Sequence, residues 1–379
     1  MLASQLVDRC LASRIHFFTG VPDSFLKALC DELYIRFGTS SPNHVVAHSE
    51  GAAIGLCAGH YLGTGLPSVC YMQNSGLGNA VNPLVSLMDA KVYDIPCLLI
   101  IGWRGEPGTK DEPQHIRQGE ITLPLLDLLD IPWCILSPDT AGEEFDRDWE
   151  DLMQHLKNNR RAALVVRKGA LVSDCRPDYH NPYRMTREQA ADIILSCAND
   201  RDLFVSTTGK LSREVFEIRE KKLQPHHHDF LTVGSMGHAS MIALGLAEQQ
   251  PDRFVWCLDG DGAAMMHLGA LPLIGSRVPA RFVHVVINNG AHETVGGMPV
   301  CSGMLNLKAL ASASGYRHVF SADSESTLRN ILRDIVSAGD DGPFFLEVRC
   351  ACGARKDLGR PTTTPRQNLD AFCEYITKS

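Results

Sequence analysis

Short apolar runs alternate with amphipathic stretches along the whole chain. In the first half the runs stand at Ile15–Phe18, Pro96–Ile101 and Ala162–Val166. Runs of this length read as strands and the amphipathic stretches between them as helices, so the pattern predicts βαβ units around a mostly parallel sheet. A polar stretch with proline and no periodicity, Ser173–Arg184, interrupts the alternation. Just beyond it, Thr186 and Gln189 have the spacing of a capping box that opens a new helix. The second half then repeats the logic, with runs at Leu203–Val205, Phe230–Val233, Phe254–Leu258, Phe282–Ile287 and Phe344–Val348. The expected fold is α/β, with two doubly wound parallel-sheet domains at residues 1–175 and 186–379 joined by a linker at 176–185.

Length and composition agree with this division. A chain of 379 residues is too long for one average domain of ~100 to 200 residues. Apolar residues at 44% and charged residues at 21% describe a folded chain, not a largely disordered one. A net charge of −8 argues against nucleic-acid or anionic-membrane partners, which reward clustered Lys and Arg, so any anion site must be local. Thirteen cysteines include no C-x-x-C pair, and most lie inside apolar runs, which suggests reduced thiols and a cytoplasmic location. Asp8, Arg9 and Arg14 break any signal-like core at the start, and no apolar stretch approaches a membrane span. The run His226–His228 reads as a solvated loop, because consecutive side chains in regular structure do not converge on one metal.

The chemistry concentrates at Leu258-Asp259-Gly260-Asp261-Gly262, directly after a strand pattern. It is followed by a helix-like stretch and a second strand that ends in Asn288-Asn289-Gly290. A carboxylate and an amide oxygen at the carboxyl ends of two parallel strands can share one hard cation, while Gly260 and Gly262 let backbone N–H groups approach a phosphate. Neither a complete G-x-G-x-x-G nor a Walker loop is present, so ordinary dinucleotide and ATP readings lack their fingerprints.

Gly260-Asp261-Gly262 with Asn288-Asn289 resembles the metal and diphosphate motif of thiamine-diphosphate-dependent enzymes. The resemblance implies Mg2+ ligated by Asp261, Asn289 and the main-chain carbonyl of Ala291, with Gly260, Gly262 and Ala263 against the diphosphate. Upstream, Thr207-Thr208-Gly209 resembles the diphosphate loop, bringing in Thr208 and Gly209. Gly234-Ser235-Met236-Gly237 resembles the segment whose large apolar residue wedges the cofactor, with Ser235 beside Met236; taken alone, Met236 is a core methionine at a helix start. In the first half, His48-Ser49-Glu50-Gly51 follows a short strand and opens a helix of small residues. Glu50 is then the acid beside the cofactor's pyrimidine that helps remove the thiazolium C2 proton; taken alone, it is a glutamate favoured by a helix dipole. The domains are accordingly of pyrimidine-type and diphosphate-type, in that order.

Two more first-half segments fit the same fold, Gly20–Ser24, with Asp23 and Ser24, and Gln73–Asn79, with Asn74. In thiamine-dependent pyruvate decarboxylases the comparable places carry an Asp and a His pair. Asn74 and Ser75 stand at the pair here, so that proton relay is absent as such. His48, His115 and His292 remain candidate donors on their ordinary pKa.

Across nearly the whole chain the sequence resembles the phosphonopyruvate decarboxylase family and its sulfopyruvate relatives. The words that carry this are Arg104–Gly108 running into Lys110–His115, then Asn289–Glu293, and Arg355–Pro361. Glu293 and Met298 depart from the Asp and Gln expected there, which touches fine specificity. A phosphonate tail needs charge-assisted donors, and Arg355, Lys356 and Arg360 supply them, with Arg104 and Lys110 as a second set. The implied activity is decarboxylation of 3-phosphonopyruvate by a chain that self-associates at least as a homodimer. The alternatives are sulfopyruvate decarboxylation, a carboligase, and a non-catalytic cofactor-binding protein.

Overall fold

The computed structural model describes residues 1–293, 296–300 and 305–378. The strands are β1 (Phe18–Gly20), β2 (His44–Val46), β3 (Ser68–Gln73), β4 (Cys97–Gly102), β5 (Trp133–Leu136), β6 (Ala162–Val166), β7 (Leu203–Ser206), β8 (Asp229–Leu231), β9 (Val255–Gly260), β10 (Phe282–Asn288), two-residue β11 (Ala291–His292) and β12 (Met298–Pro299), β13 (His318–Ala322) and β14 (Phe344–Arg349). They build two six-stranded sheets, β2-β1-β3-β4-β6-β5 and β13-β14-β10-β9-β7-β8. Neighbouring strands within each run parallel. The chain accordingly divides into two compact units, Met1–Asp178 with Thr294–Met298, and Tyr179–Glu293 with Pro299–Ser379.

Central strands such as β4 and β10 are buried at every position, as a parallel sheet with both faces covered requires. The period of two then assigns faces. On β10, Val283, Val285 and Ile287 join Trp256 and Phe344 in one core, while Phe282 and Val286 join Val255 and Phe345 in the other. In the first unit Cys70, Met72, Leu99, Ile101 and Val165 form the corresponding core.

The strand order places a switch point in each sheet. Strand β1 is flanked by β2 on one side and β3 on the other, and β7 by β8 and β9. Successive crossovers therefore leave in opposite directions, which opens a crevice at the carboxyl ends of β1 and β3, and of β7 and β9. Asp23 and Asn74 follow the first pair, and Thr208 and Asp261 follow the second.

Local details follow from the same chemistry. Thr186 and Gln189 form the reciprocal capping box at the start of the helix Arg187–Cys197. The change of unit between Asp178 and Tyr179 falls in a segment without helix or strand. The His226–His228 segment is not simply solvated. His226 stacks on Phe216 with ring centroids 4.2 Å apart, and His227 and His228 pack on Tyr375. Every cysteine among the described residues is a free thiol. No helix among the described residues is long and apolar enough to cross a membrane.

Candidate active site

In the first unit, Ser49 caps the helix Glu50–Thr64, its Oγ accepting from the Ala52 amide at 3.4 Å. Glu50 is the first residue of that helix, where the unpaired amides and the dipole favour a carboxylate. Only 5% of Glu50 is exposed. Asn79 Nδ2 donates to its Oε2 at 2.8 Å. Gly76 makes the space, since a Cβ there would stand 2.6 Å from Glu50 Cγ and Oε1. His48, two residues earlier, is exposed.

Asp23 lies at the β1–β3 crevice and is buried. Its two oxygens accept from Gln73 Nε2 at 2.6 Å and from the Phe25 amide at 2.8 Å. Ser75 Oγ donates to Gln73 Oε1 at 2.8 Å, which orients the amide toward Asp23. Burial pushes the Asp23 carboxyl up, against the pull of Gln73, the Phe25 amide and the Arg104 charge. Glycine is required at Gly102, where a Cβ would meet Asp23 Oδ2 at 2.3 Å.

Asn74 has a different task from substrate contact. Its Nδ2 donates to the Arg104 carbonyl at 2.7 Å and to Thr122 Oγ1 at 2.9 Å, and its Oδ1 accepts from the Arg104 amide at 3.2 Å. Buried and fully engaged, it fixes the loop after β4 and is unsuited to holding a ligand. Arg104 in turn forms a bidentate pair with Asp111 and donates to Ser24 Oγ at 3.0 Å. Burial alone would raise the Asp111 carboxyl, but the Arg104 hydrogen bonds and two backbone amides hold it well below the usual range. Arg104 thus arrives already neutralised, whereas Lys110 is exposed. His115, in the first turn of the helix Pro113–Leu128, is buried with no protein partner for Nδ1. Burial, helped by the Arg104 charge, lowers its pKa to about 4.

In the second unit, Asp261 opens a short helix, Asp261–Met266, directly after β9. The Gly290 amide donates to Asp261 Oδ2 at 3.1 Å, drawing the end of β10 against it. The two asparagines divide their roles. Asn288 Nδ2 donates to Glu347 at 2.8 Å inside the sheet. Asn289 is buried, with Oδ1 accepting from the Ala291 amide at 3.2 Å and Nδ2 without a protein partner. Thr207 Oγ1 and Thr232 Oγ1, beyond the ends of β7 and β8, are likewise buried and unpartnered. Buried polar atoms are rarely left so, and their gathering at this edge suits a polar ligand. A Cβ at Gly260 or Gly262 would meet protein no nearer than 3.9 and 3.5 Å, so the chain's own packing does not demand glycine at either. The Gly260 amide, however, donates to Asp259 Oδ1 at 2.9 Å and is unavailable to a phosphate. The amides left to that role are those of Gly262 and Ala263 at the helix start.

Thr208 Oγ1 accepts from the Gly234 amide at 3.0 Å, joining two of the expected cofactor segments. Gly209 has φ +101°, a turn that glycine makes without strain. Met236 is half-buried in the Gly234–Gly237 loop, ahead of the helix Ala239–Gln249, so it is neither a core residue nor on a helix. Ser235 beside it is exposed, with φ +47°. His292 is enclosed enough that desolvation lowers its pKa to about 4. Like His115 it is neutral at pH 7, a weak starting point for a general acid. Arg355 is held by Glu188, Glu217 and Asp357, which removes it from an anion grip, while Lys356 and Arg360 are exposed on the same loop.

The chain matches the family model described as the thiamine pyrophosphate enzyme N-terminal TPP-binding domain over residues 1–125 and the C-terminal TPP-binding domain over 207–348. It is 33% identical to phosphonopyruvate decarboxylase of Streptomyces viridochromogenes, over 99% of this chain and 95% of that one. To the Streptomyces hygroscopicus enzyme of the same name it is 34% identical, over 95% and 90%. The chain belongs to the phosphonopyruvate decarboxylase family of thiamine-diphosphate-dependent enzymes. The beta subunit of sulfopyruvate decarboxylase from Methanothermobacter thermautotrophicus is 33% identical, over 43% of this chain and 81% of its own.

Within a thiamine-diphosphate-dependent decarboxylase, three further residues gain meaning. Asn79 and Gln73 hold the two buried carboxylates, Glu50 and Asp23; both sit in the Gln73–Asn79 segment, and an amide there was the available signal. Lys210, next to Gly209, donates to the Glu293 carbonyl at 3.1 Å and faces its carboxylate at 3.5 Å. Glu293 Oε1 also accepts from the Gly353 amide at 2.8 Å. Nothing in the local sequence announces that bridge.

Proposed function

We propose that this chain is a Mg2+- and thiamine-diphosphate-dependent decarboxylase of phosphonate biosynthesis, converting 3-phosphonopyruvate to phosphonoacetaldehyde and carbon dioxide. The observation that carries the substrate is the end-to-end match, in a single chain, to two phosphonopyruvate decarboxylases, whereas the sulfopyruvate relatives match as separate alpha and beta subunits over 38% and 43% of this chain. Asp261, Asn289 and the Ala291 carbonyl form a hard-oxygen set of the kind Mg2+ prefers. When bound, thiamine diphosphate supplies a carbon nucleophile and a sink for the electrons released with carbon dioxide. Glu50 would serve as the acid–base group facing the cofactor's pyrimidine, and Met236 and the Thr208–Gly209 turn would orient the cofactor. Asp23, Ser24 and the exposed Lys110, Lys356 and Arg360 are proposed for the substrate. A dianionic phosphonate draws on more positive charge than a sulfonate, and the presence of Lys110, Lys356 and Arg360 on these loops favours it. Carbon dioxide release from phosphonopyruvate, sulfopyruvate and pyruvate, with and without Mg2+ and thiamine diphosphate, is the test. The expected result is cofactor-dependent turnover preferring phosphonopyruvate at least tenfold, about 1.4 kcal/mol of discrimination. Equal or better turnover of sulfopyruvate would reassign the substrate.

The working form is proposed to be at least a homodimer. On the helix Glu50–Thr64, Gly55, Gly59 and Gly63 lie along one exposed line, and a Cβ at any of them meets nothing within 4 Å. Leu56 and Leu62 flank the line at 38% and 80% exposure. A bare apolar stripe that admits close helix approach is what a second copy would cover. Light scattering should give about twice the mass of one chain or more, and a fully active monomer would refute it.

A further inference from the structure

Beneath the Gly260-Asp261-Gly262 turn lies a hydrogen-bonded chain that none of the roles above uses. Asp259 on β9 and His284 on β10 point to the same face of the sheet and are buried, at 0% and 1% exposure. Asp259 Oδ1 accepts from the Gly260 amide at 2.9 Å, and its Oδ2 lies 3.4 Å from His284 Nε2. His284 Nδ1 lies 2.9 Å from the Tyr316 hydroxyl. One proton arrangement satisfies every group. The Tyr316 hydroxyl donates to Nδ1, Nε2–H donates to Oδ2, and the Gly260 amide donates to Oδ1.

The far end of this chain is anchored as firmly as the near end. Tyr316 follows the helix Leu307–Ala313, and its amide donates back to the Ala311 carbonyl at 3.2 Å. The turn before it presses on the helix Ala270–Arg277 so closely that a Cβ at Gly275 would stand 1.8 Å from the Ser314 carbonyl oxygen. Phe345 lies edge-on to both rings, with centroids 5.6 Å from His284 and 5.5 Å from Tyr316. Cys257 Sγ also falls within 4.8 Å of the Asp259 and His284 ligand atoms. A metal there would have to displace hydrogen bonds on Nε2 and on the Asp259 oxygens, so the chain of bonds is the better account.

We propose that Tyr316, His284 and Asp259 are positioning residues for the metal–diphosphate loop, setting the Asp259–Gly260 peptide and through it the placement of Asp261 and of the Gly262 and Ala263 amides. The peptide plane that Asp259 grips is immediately followed by Asp261, so a rotation of that plane swings the carboxylate and the helix start together. A core polar network with no such task would hold the sheet and leave ligand binding untouched.

This inference rests on the cofactor reading, and the test separates the two. Full-length wild type, Tyr316→Phe, His284→Leu and His284→Gln are titrated calorimetrically with thiamine diphosphate at saturating Mg2+, and with Mg2+ at saturating thiamine diphosphate. Thermal midpoints of the unliganded proteins are recorded alongside. Tyr316→Phe removes one oxygen and keeps the ring, so it is the variant least able to unfold the protein. Gln can accept from Tyr316 and donate to Asp259 at once, so His284→Gln should restore what His284→Leu loses. The expected result is a tenfold or larger rise in Kd for Tyr316→Phe and His284→Leu, a value near wild type for His284→Gln, and an unchanged KM for the 2-oxo acid at saturating cofactor. Lowered thermal midpoints with unchanged Kd would overturn the positioning role and leave the cofactor reading standing. A wild type that binds no thiamine diphosphate would overturn both.

Discussion

Glu50→Gln is expected to lower decarboxylation by about 10³-fold, inside the ~10²–10⁴ range of a general acid–base group. The substitution keeps size and shape, and Asn79 Nδ2, now 2.8 Å from Glu50 Oε2, still finds a carbonyl oxygen to donate to. What it removes is the acid. Glu50 sits at the first position of its helix, takes a hydrogen bond from Asn79 and lies close against Gly76, so the glutamine should keep the same place. Glu50→Ala should lose turnover as severely but also leave the Asn79 amide unpaired, at a stability cost of about 1–3 kcal/mol. Single-turnover carbon dioxide release, with thermal melting as the control for fold, distinguishes the two variants. Near-normal turnover in Glu50→Gln would take Glu50 out of the chemistry altogether.

Where the sequence was readable, the information was local. Strand β6 is a continuous apolar run and β10 an apolar run broken by His284; both are fully buried and begin at the residues where the pattern begins. The sheet edges were harder to read. Strands β5 and β13 are mostly half-buried, with one fully buried residue each; β13 mixes His318 and Ser321 with apolar residues, and β5 is apolar throughout but only 4 residues long. At the amino end, Ile15 and Phe17 are core residues in a loop, and the strand itself starts only at Phe18. A run of apolar letters records burial, and burial does not require a ladder.

The same distinction runs through the site. Asp261 opens a helix directly after β9, and Glu50 opens one after the short segment 47–49 that follows β2, and both features are written in neighbouring residues. The roles of Asn74 and Arg355 depend on partners far away in the chain. Asn74 reaches Thr122, and Arg355 reaches Glu188 and Glu217, so only the folded chain reveals that both are already engaged. The amide of Gly260 is a subtler case. A glycine in a Gly-Asp-Gly turn suggests an amide offered to phosphate, yet the preceding Asp259 takes that amide first. Composition and motif identify which groups are present; they do not say which have been neutralised by a neighbour.

Asp261→Ala separates assembly from chemistry. Asp261 accepts from the Gly290 amide, so its carboxylate both draws β9 and β10 together at their ends and offers charge to a cation. Its removal should cost more than the ~10–100-fold typical of losing an outer-shell partner, leaving no measurable Mg2+-dependent binding of thiamine diphosphate in a calorimetric titration. The fold should survive, since the hydrogen bond to the Gly290 amide is worth about 1 kcal/mol. Asp261→Asn retains an acceptor for Gly290 and an oxygen for the metal but not the charge, and should fall between wild type and Asp261→Ala. Glu50→Gln, in contrast, should bind cofactor within a few-fold of wild type and fail only in turnover. The two phenotypes must differ if one residue holds the metal and the other handles the proton. If Asp261→Ala bound Mg2+ and thiamine diphosphate like wild type, the metal would have to be placed elsewhere, and the hard-oxygen set at the ends of β9 and β10 would be structural.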